Sequence, residues 1–600
     1  MGLDRNQSKS FLTVLTRNAQ RRLGCKEQIK DRLRSDPESQ VEIGIEVAQE
    51  TGEPMGQVLA ELLREDPSLT QSVASLATSL PEQSVALRSV AVLLLSARVD
   101  IDRRNFESAV AKVRAESSQT DDPTALAKAL GFLSTLCMSL NDLSVRLADV
   151  RRTRDELIES QRVVALYRHL TRQSDLFLPG LAGSLNNLSA SRADVGQPEE
   201  ALKEIETAVR IYRQLVDERG GLFLDGFARS MNNASLRLAG LGRHDDALRA
   251  GSQAVELYRT LAADQPARFR RHLANSLNTL ARALRQLNRH DEALIAIEEA
   301  VEIRHHQAGD NSDKYSPDLA IALNTLSLVQ SDLGRHQDAL DSITETVDIY
   351  RRLARDEDDD SLLTQDDPET FGSHFANSLD WLAAVQTDMN RHEEAVATLE
   401  EVADVRRHLA EIRPGAFMPA LASSLHELWV VLTELGRHEK ALPVIRDTVD
   451  IRRRLSRNSP DDYLVDLASS LNDLSETLAE SNQDADALRA SRRAVGLNRR
   501  LARRSPELYR PDLAMTLNNL SLRLAALGQH GEALKVMREA TEIYGQLDHD
   551  GTDAALASEF AVALDNLALR LDDVGRDDEA LSFRKRAAAV RLRLTEEDGS

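Results

Sequence analysis

The sequence predicts an all-α protein, built as a solenoid of stacked helix pairs. Three observations lead there. A Gly or Asn before a short polar turn recurs at Gly196, Gly242, Asn288, Gly334, Asn390, Gly436, Asn482, Gly528 and Gly575, at spacings of 46, 46, 46, 56, 46, 46, 46 and 47 residues. An Ala stands five residues after every mark: Ala201, Ala247, Ala293, Ala339, Ala395, Ala441, Ala487, Ala533 and Ala580. Aromatic residues make up only 4% of the chain while Leu and Ala dominate, which suits helix packed on helix.

Each mark has a physical cause. Gly and Asn enter the left-handed backbone region cheaply, as a helix C-terminus requires just past its last turn. A first helix therefore ends at each mark. A second begins before the Ala, with Asp or Glu in its first turn ("HDDAL", "HEEAV"), where the helix dipole favours them. In one late copy, Leu517, Leu520, Leu524 and Leu527 form the apolar stripe of the first helix; Ala533, Met537, Ala540 and Tyr544 form that of the second. A small residue at the crossing lets the helices approach closely. Pro179, Pro317, Pro419 and Pro511 are expected where first helices begin, the position proline tolerates best.

A third mark is the phrase "LNNL" and its variants, beginning at 185, 231, 277, 323, 379, 425, 471, 517 and 564, with a weaker copy at Leu140. Taken together, Leu185, Leu188, Ser189, Gly196, Ala201 and Ala208 resemble a tetratricopeptide repeat (TPR). The period departs from that family's usual value of about 34 residues. With longer helices, the chain is closer to the repeats of kinesin light chain and of many bacterial arrays. His replaces the family's aromatic in the turn. The unit around Arg151 lacks both Gly and Ala and reads as a degenerate capping repeat.

The resemblance implies a right-handed superhelical solenoid of helix-turn-helix pairs with a concave groove. The expected organisation is a basic helical segment over 1–40, a helical capping region over 41–120, and about ten repeats over 121–600. One helix pair cannot bury its own apolar face, so stacking creates both the core and a long binding surface.

The residue after the leading Leu of the phrase is Asn at Asn141, Asn186, Asn232, Asn278, Asn324, Asn472 and Asn518, and Asp380, His426 or Asp565 elsewhere. Asn costs roughly half a kcal/mol against Ala inside a helix, so its recurrence needs a reason. The resemblance implies that this position faces the groove, where an Asn ladder hydrogen-bonds an extended peptide backbone. The other reading is that the Asn residues brace neighbouring repeats.

Eight residues on, about 80° round the helix, a second track carries Asp149, Asp194, Asp332, Asp388, Glu434, Glu480 and Asp573. Half-apolar positions such as Leu236, Leu328, Val430 and Leu522 lie between. Polar, apolar and acidic tracks together suit a partner segment carrying Lys or Arg with a few aliphatic anchors. TPR proteins that clamp acidic heat-shock chaperone tails need Lys and Arg where these positions read Asn, so that role is not expected.

Other features point to simpler roles. His244, His290, His336, His392, His438 and His530 recur in the turns, but neighbouring repeats hold them a helix diameter apart, too far to share one ion. No metal or other cofactor is expected. The acidic stretch 355–371 lacks the Gly and final Glu of a calcium loop and reads as a surface loop. Ala48, Gly52 and Val58 have helix-turn-helix spacing, yet Glu53 and Pro54 occupy its turn positions.

The formal net charge of −22 argues against broad nucleic-acid binding, although Met1–Arg34 carries a local excess of six positive charges. The run Val85–Val99 contains Arg88 and is too short to span a bilayer, and the N-terminus lacks a signal-peptide core; no membrane partner is expected. Two cysteines, Cys25 and Cys137, fit a reducing cytoplasm. Arg far outnumbers Lys, as in GC-rich bacteria.

No phosphate-binding loop, zinc-helix or nucleophile motif occurs, so an enzyme is not expected. The leading expectation is a cytoplasmic scaffold or adaptor binding a protein or peptide in the groove. The alternative is a peptide-sensing regulator whose N-terminal region contacts DNA or an effector.

Overall fold

The computed structural model describes residues 5–19, 24–51, 55–80, 87–116, 123–149, 153–172, 174–310, 312–354, 368–547 and 554–597. Among them the regular structure is helical throughout. The chain divides into two compact units, Met1–Asp367 and Pro368–Ser600.

The first unit opens with short helices α1 (Arg5–Ala19), α2 (Gly24–Ser35), α3 (Pro37–Thr51), α4 (Met55–Glu65) and α5 (Pro67–Ser72). Three longer helices follow: α6 (Arg88–Glu116), α7 (Pro123–Asp149) and α8 (Thr153–Thr171). Regular pairs then begin with α9 (Leu178–Asp194) and α10 (Pro198–Arg219), α11 (Leu224–Gly240) and α12 (His244–Asp264), α13 (Pro266–Gln286) and α14 (His290–Asp310), and α15 (Ser312–Asp332) and α16 (His336–Ala354).

The second unit continues the pattern: α17 (Pro368–Asp388) and α18 (His392–Ile412), α19 (Pro414–Glu434) and α20 (His438–Asn458), α21 (Pro460–Glu480) and α22 (Asp484–Arg504), α23 (Pro506–Ala526) and α24 (His530–Leu547), and α25 (Ala554–Asp572) and α26 (Asp577–Glu597). Each helix packs on the one before and the one after it inside its unit.

All nine turn marks have positive φ, including the non-glycine Asn288, Asn390 and Asn482 at 56°, 59° and 56°. The hydrogen bonds are those of a Schellman cap. At Gly242, its N–H donates to Ala239 O at 3.0 Å and the Arg243 N–H to Leu238 O at 2.9 Å. The same pair of bonds closes the turn at Asn482, to Ala479 O and Leu478 O.

The nine alanines are each 0% exposed. In several pairs the first helix also fixes the Ala carbonyl with a buried Ser hydroxyl. Ser189, Ser235, Ser327, Ser475 and Ser521 donate to Ala201, Ala247, Ala339, Ala487 and Ala533 at 2.7–2.9 Å. A larger side chain at the Ala would separate the helices and break that bond.

In the first unit a single apolar cluster runs from Leu12 on α1 to Ala283 on α13, so the short N-terminal helices share a core with the first repeats. Ala48 and Val58 belong to that core; Gly52–Pro54 lie outside the described residues, as do Arg151 and 355–367. In the second unit the last repeats share another cluster, from Leu488 to Ala587.

The prolines correct one expectation. Pro179 stands in the first turn of α9, but Pro317, Pro419 and Pro511 lie inside α15, α19 and α23. In α19 and α23 another proline, Pro414 or Pro506, takes the opening position five residues earlier. The carbonyl that Pro419 leaves without an intrahelical donor belongs to Gly415, which is exposed, so water can satisfy it. Helix α19 is also long and apolar enough to cross a membrane by length and composition. Its Leu421, Leu425, Leu428 and Leu432 are buried in the core of the second unit, as core-helix residues are.

The turn geometry predicts opposite responses at two marks. A Cβ at Gly436 meets no neighbour, so Gly436→Ala should cost about 1 kcal/mol through its φ of 67° alone. Asn482→Gly should leave stability within about 0.5 kcal/mol of wild type or raise it. Chemical denaturation of the full chain measures both.

Candidate partner-binding face

The Asn positions lie at the edge where one first helix meets the next. Asn187 Nδ2 donates to Asn141 Oδ1 at 2.8 Å, Asn233 Nδ2 to Asn186 Oδ1 at 3.3 Å, Asn519 Nδ2 to Asn472 Oδ1 at 2.9 Å, and Asn566 Nδ2 to Asn518 Oδ1 at 2.9 Å. The second Asn of each phrase thus grips the first Asn of the preceding repeat. Asn186 is buried and also donates to Ser230 Oγ at 2.8 Å. In these repeats the amide oxygens are committed to a neighbouring helix.

Between these outer rungs the chemistry changes. Thr279 and Thr325 stand where the donor Asn would be, and each turns its hydroxyl back to its own helix, onto Asn275 O and Ile321 O. Asn232 Oδ1 and Asn278 Oδ1 are left buried without a hydrogen bond. Asn324 is half-buried.

In the second unit the corresponding positions pair Asp380 with Glu427 and His426 with Asp473. Asp380 forms an ion pair with Arg406, yet its carboxyl is pushed up to about 6, chiefly by burial, with Glu427 adding to the shift. Asp473 Oδ2 lies 3.8 Å from His426 Nδ1, and both atoms are buried without a hydrogen bond. Burial pushes the Asp473 carboxyl up to about 7 against the pull of Arg452, while burial and Arg452 hold His426 below its ordinary value. Burial thus acts on both neighbours in the same sense, favouring the uncharged carboxyl of Asp473 and the uncharged imidazole of His426. His426 also stacks on Trp429, with ring centroids 5.2 Å apart, and Trp429 Nε1 donates to Thr477 Oγ1 at 2.9 Å.

The acidic track is not uniform either. In the first unit Asp332 is engaged by Arg285 at 2.5 Å and lies 3.4 Å from His290 Nδ1, while Asp194 is close enough to Arg237 to favour its charge. In the second unit Asp388, Glu434 and Glu480 are exposed and have no ion pair among the described residues. Helix α21 carries Asp461, Asp462, Asp466, Asp473, Glu476 and Glu480 and no Lys or Arg.

One position escapes a reading based on recurring residue types. Eleven residues after each of the first eight alanines, the second helix carries Tyr212, Tyr258, Arg304, Tyr350, Arg406, Arg452, Asn498 or Tyr544, all buried. The polar versions reach the following first helix. Arg406 bonds Ser424 Oγ and Ala420 O, Arg452 bonds Ser470 Oγ and Asp466 O, and Asn498 bonds Thr516 Oγ1 and Asp512 O. The 46-residue register would have found the position; the changing residue type hid it. Tyr212 imposes a companion constraint, because a Cβ on Gly226 would sit 2.4 Å from its ring.

The turn histidines are the first residues of their second helices. Among the described residues no group of three metal-ligating side chains gathers.

The tetratricopeptide repeat profile matches residues 273–312 and 513–547. The profile of anaphase-promoting complex subunit 5 matches residues 166–224, 304–366 and 360–413. No curated protein matches the chain. Among solved structures, BtubC (BKLC) from P. vanneervenii is 16% identical, covers 43% of this chain and 92% of its own, and gives a TM-score of 0.34. The apo form of RapI is 9% identical over 54% of this chain and 99% of its own, with a TM-score of 0.33. MamA from Desulfovibrio magneticus is 17% identical over 38% and 96%, with a TM-score of 0.24.

Two stability predictions follow from the rungs. Asn186→Ala should destabilise the full chain by about 2 kcal/mol, because it removes the acceptor of Asn233 and the donor to Ser230 Oγ, whereas Asn232→Ala should cost well under half of that. Asp473 has a folded value raised above its unfolded one. Its favourable contribution is therefore complete below about pH 4 and is lost as pH rises through about 7. The stability gained by Asp473→Asn should grow over that interval, to on the order of 2 kcal/mol at its top. A gain independent of pH in paired denaturation curves would contradict the assignment.

Proposed function

This chain is a tetratricopeptide-repeat protein, and we propose that it acts as a protein-interaction scaffold. The exposed face of its first helices docks an extended segment of a partner. The observation that carries this reading is the set Asp388, Glu434 and Glu480. These side chains recur once per repeat on α17, α19 and α21, exposed and without an internal cation among the described residues. Some surface carboxylates of the same unit do hold a cation three residues away, as in the pairs Arg391–Glu394 and Arg453–Asp450.

Successive first helices bring these carboxylates about one helix diameter apart, roughly 10 Å. An extended chain advances that far in about three residues. A partner segment with Lys or Arg at every third position matches the track, and half-buried Val430 offers an aliphatic contact beside it. The free, buried thiol of Cys137 suits a reducing compartment, and we place the protein in the cytoplasm.

The regulator reading, with DNA contacted by the N-terminal region, is less favoured. Lys9 and Arg5 pair with Glu46, Lys26 and Lys30 with Glu61, and Lys30 and Arg34 with Glu65. Among the described residues these cations, which a phosphate backbone would need, are engaged within the fold.

The test uses the full chain and a fluorescent oligolysine peptide. Replacing Asp388, Glu434 and Glu480 together with Lys should weaken binding at least about tenfold and remove its salt dependence, with the melting temperature preserved. Unchanged affinity in the triple variant would overturn the acidic track as a docking surface.

A further inference from the structure

In the first unit, helices α11 and α13 present the opposite charge. Helix α13 carries Arg268, Arg270, Arg271, Arg282 and Arg285 with no Asp or Glu, and α11 adds Arg229 and Arg237 against a single Asp225. In a chain of net charge −22 this is a local reversal.

Part of that charge is neutralised. Arg285 pairs with Asp332, and Arg268 lies 3.8 Å from Asp225 with its guanidinium over the Phe269 ring. Arg271 and Arg282 have no carboxylate partner among the described residues, and Arg229 bonds only the neutral Tyr212 hydroxyl. Elsewhere on the array exposed arginines commonly hold a carboxylate three residues away, as Arg243 holds Asp246 and Arg289 holds Glu292.

These unneutralised groups share one face. Arg271, Asn275 and Arg282 are spaced i, i+4 and i+11 along α13, a single stripe on the helix. Arg229 occupies on α11 the register position that Asn275 occupies on α13, 46 residues later. His272 lies within reach of these groups: burial chiefly holds it below its ordinary value, and the charges of Arg271, Arg229 and the buried Arg304 add to that, opposed by Asp225. Arg271 and Arg282 stand about 16 Å apart along the axis, the span of roughly five extended residues.

We propose that this face of α11 and α13 docks an acidic, extended segment of a partner protein, read through its side-chain carboxylates by Arg229, Arg271 and Arg282. Guanidinium forks favour carboxylates through paired, charge-assisted hydrogen bonds, which an ammonium cannot form in the same plane. Asn275 stands between the two α13 arginines, exposed at the centre of the stripe. The proposal rests on the reading that first-helix faces dock partner segments, but it concerns another unit, another charge and another probe.

The experiment measures binding of a short fluorescent oligoglutamate peptide, amidated at its C-terminus, to the full chain. Binding should occur, weaken with salt, and fall at least about tenfold in R271E/R282E with the melting temperature unchanged. Arg270 is a charge-matched control: it is exposed but turned about 100° from Arg271 round the helix. R270E should retain most of the affinity. Equal loss in R270E would reduce the effect to general electrostatics and overturn the assigned stripe. Undiminished binding by R271E/R282E would overturn it as well, as would a single-stranded oligonucleotide of equal charge binding more tightly than the peptide. Oligolysine binding by the R271E/R282E variant reports separately on the acidic track of the second unit, so failure of one face is distinguishable from failure of the other.

Discussion

The array depends on one close approach repeated nine times. The second helix of each pair meets the first at an alanine with no exposed surface, and in five pairs a buried serine hydroxyl holds that alanine's carbonyl. This contact sets the distance at which the two apolar stripes interdigitate. The left-handed residue five positions earlier sets the angle at which the chain arrives there. A single pair leaves half of its apolar surface uncovered, so its stability is shared with the pairs on either side.

Once stacking is fixed, the exposed face of the first helices becomes free to vary. The Asn rungs divide that freedom. Toward each end of the array, asparagine pairs spend their hydrogen-bonding capacity on holding repeats together. Between them the rungs are Asn with Thr, Asp with Glu, and His with Asp, combinations that leave buried acceptors unmatched or displace a carboxyl's titration. Unsatisfied buried groups cost stability, so a fold optimised for stability alone would have repeated the asparagine pair throughout.

Most of the fold was legible from the sequence, because turn and crossing each demand one residue type. Gly or Asn at Gly196 to Gly575 and Ala at Ala201 to Ala580 are favoured by backbone geometry and by volume. The site was less legible. The type of Asn186 predicts an exposed hydrogen-bonding surface and a brace equally well; only the position of Asn233 on the next first helix, α11, separates them. The Arg, Tyr and Asn at Arg452, Tyr258 and Asn498 share a register but no chemistry. The basic face of α13 was hidden for another reason: a repeat-averaged reading looks for what recurs, and Arg271 and Arg282 belong to one repeat. Pro419 and Pro511 misplaced the helix starts because proline in an exposed first turn and a half costs little.

On the proposed reading the first-helix faces are sorted by charge, basic on α11 and α13 and acidic on α17 to α21. Photo-crosslinking tests it most directly. Oligoglutamate and oligolysine probes carrying the same photoreactive group would be bound to the full chain, and the attachment sites mapped by mass spectrometry. The acidic probe should attach on α11 and α13 and the basic probe on α17, α19 and α21. Attachment of both probes to the same helices, or of either chiefly to second helices, would contradict that reading.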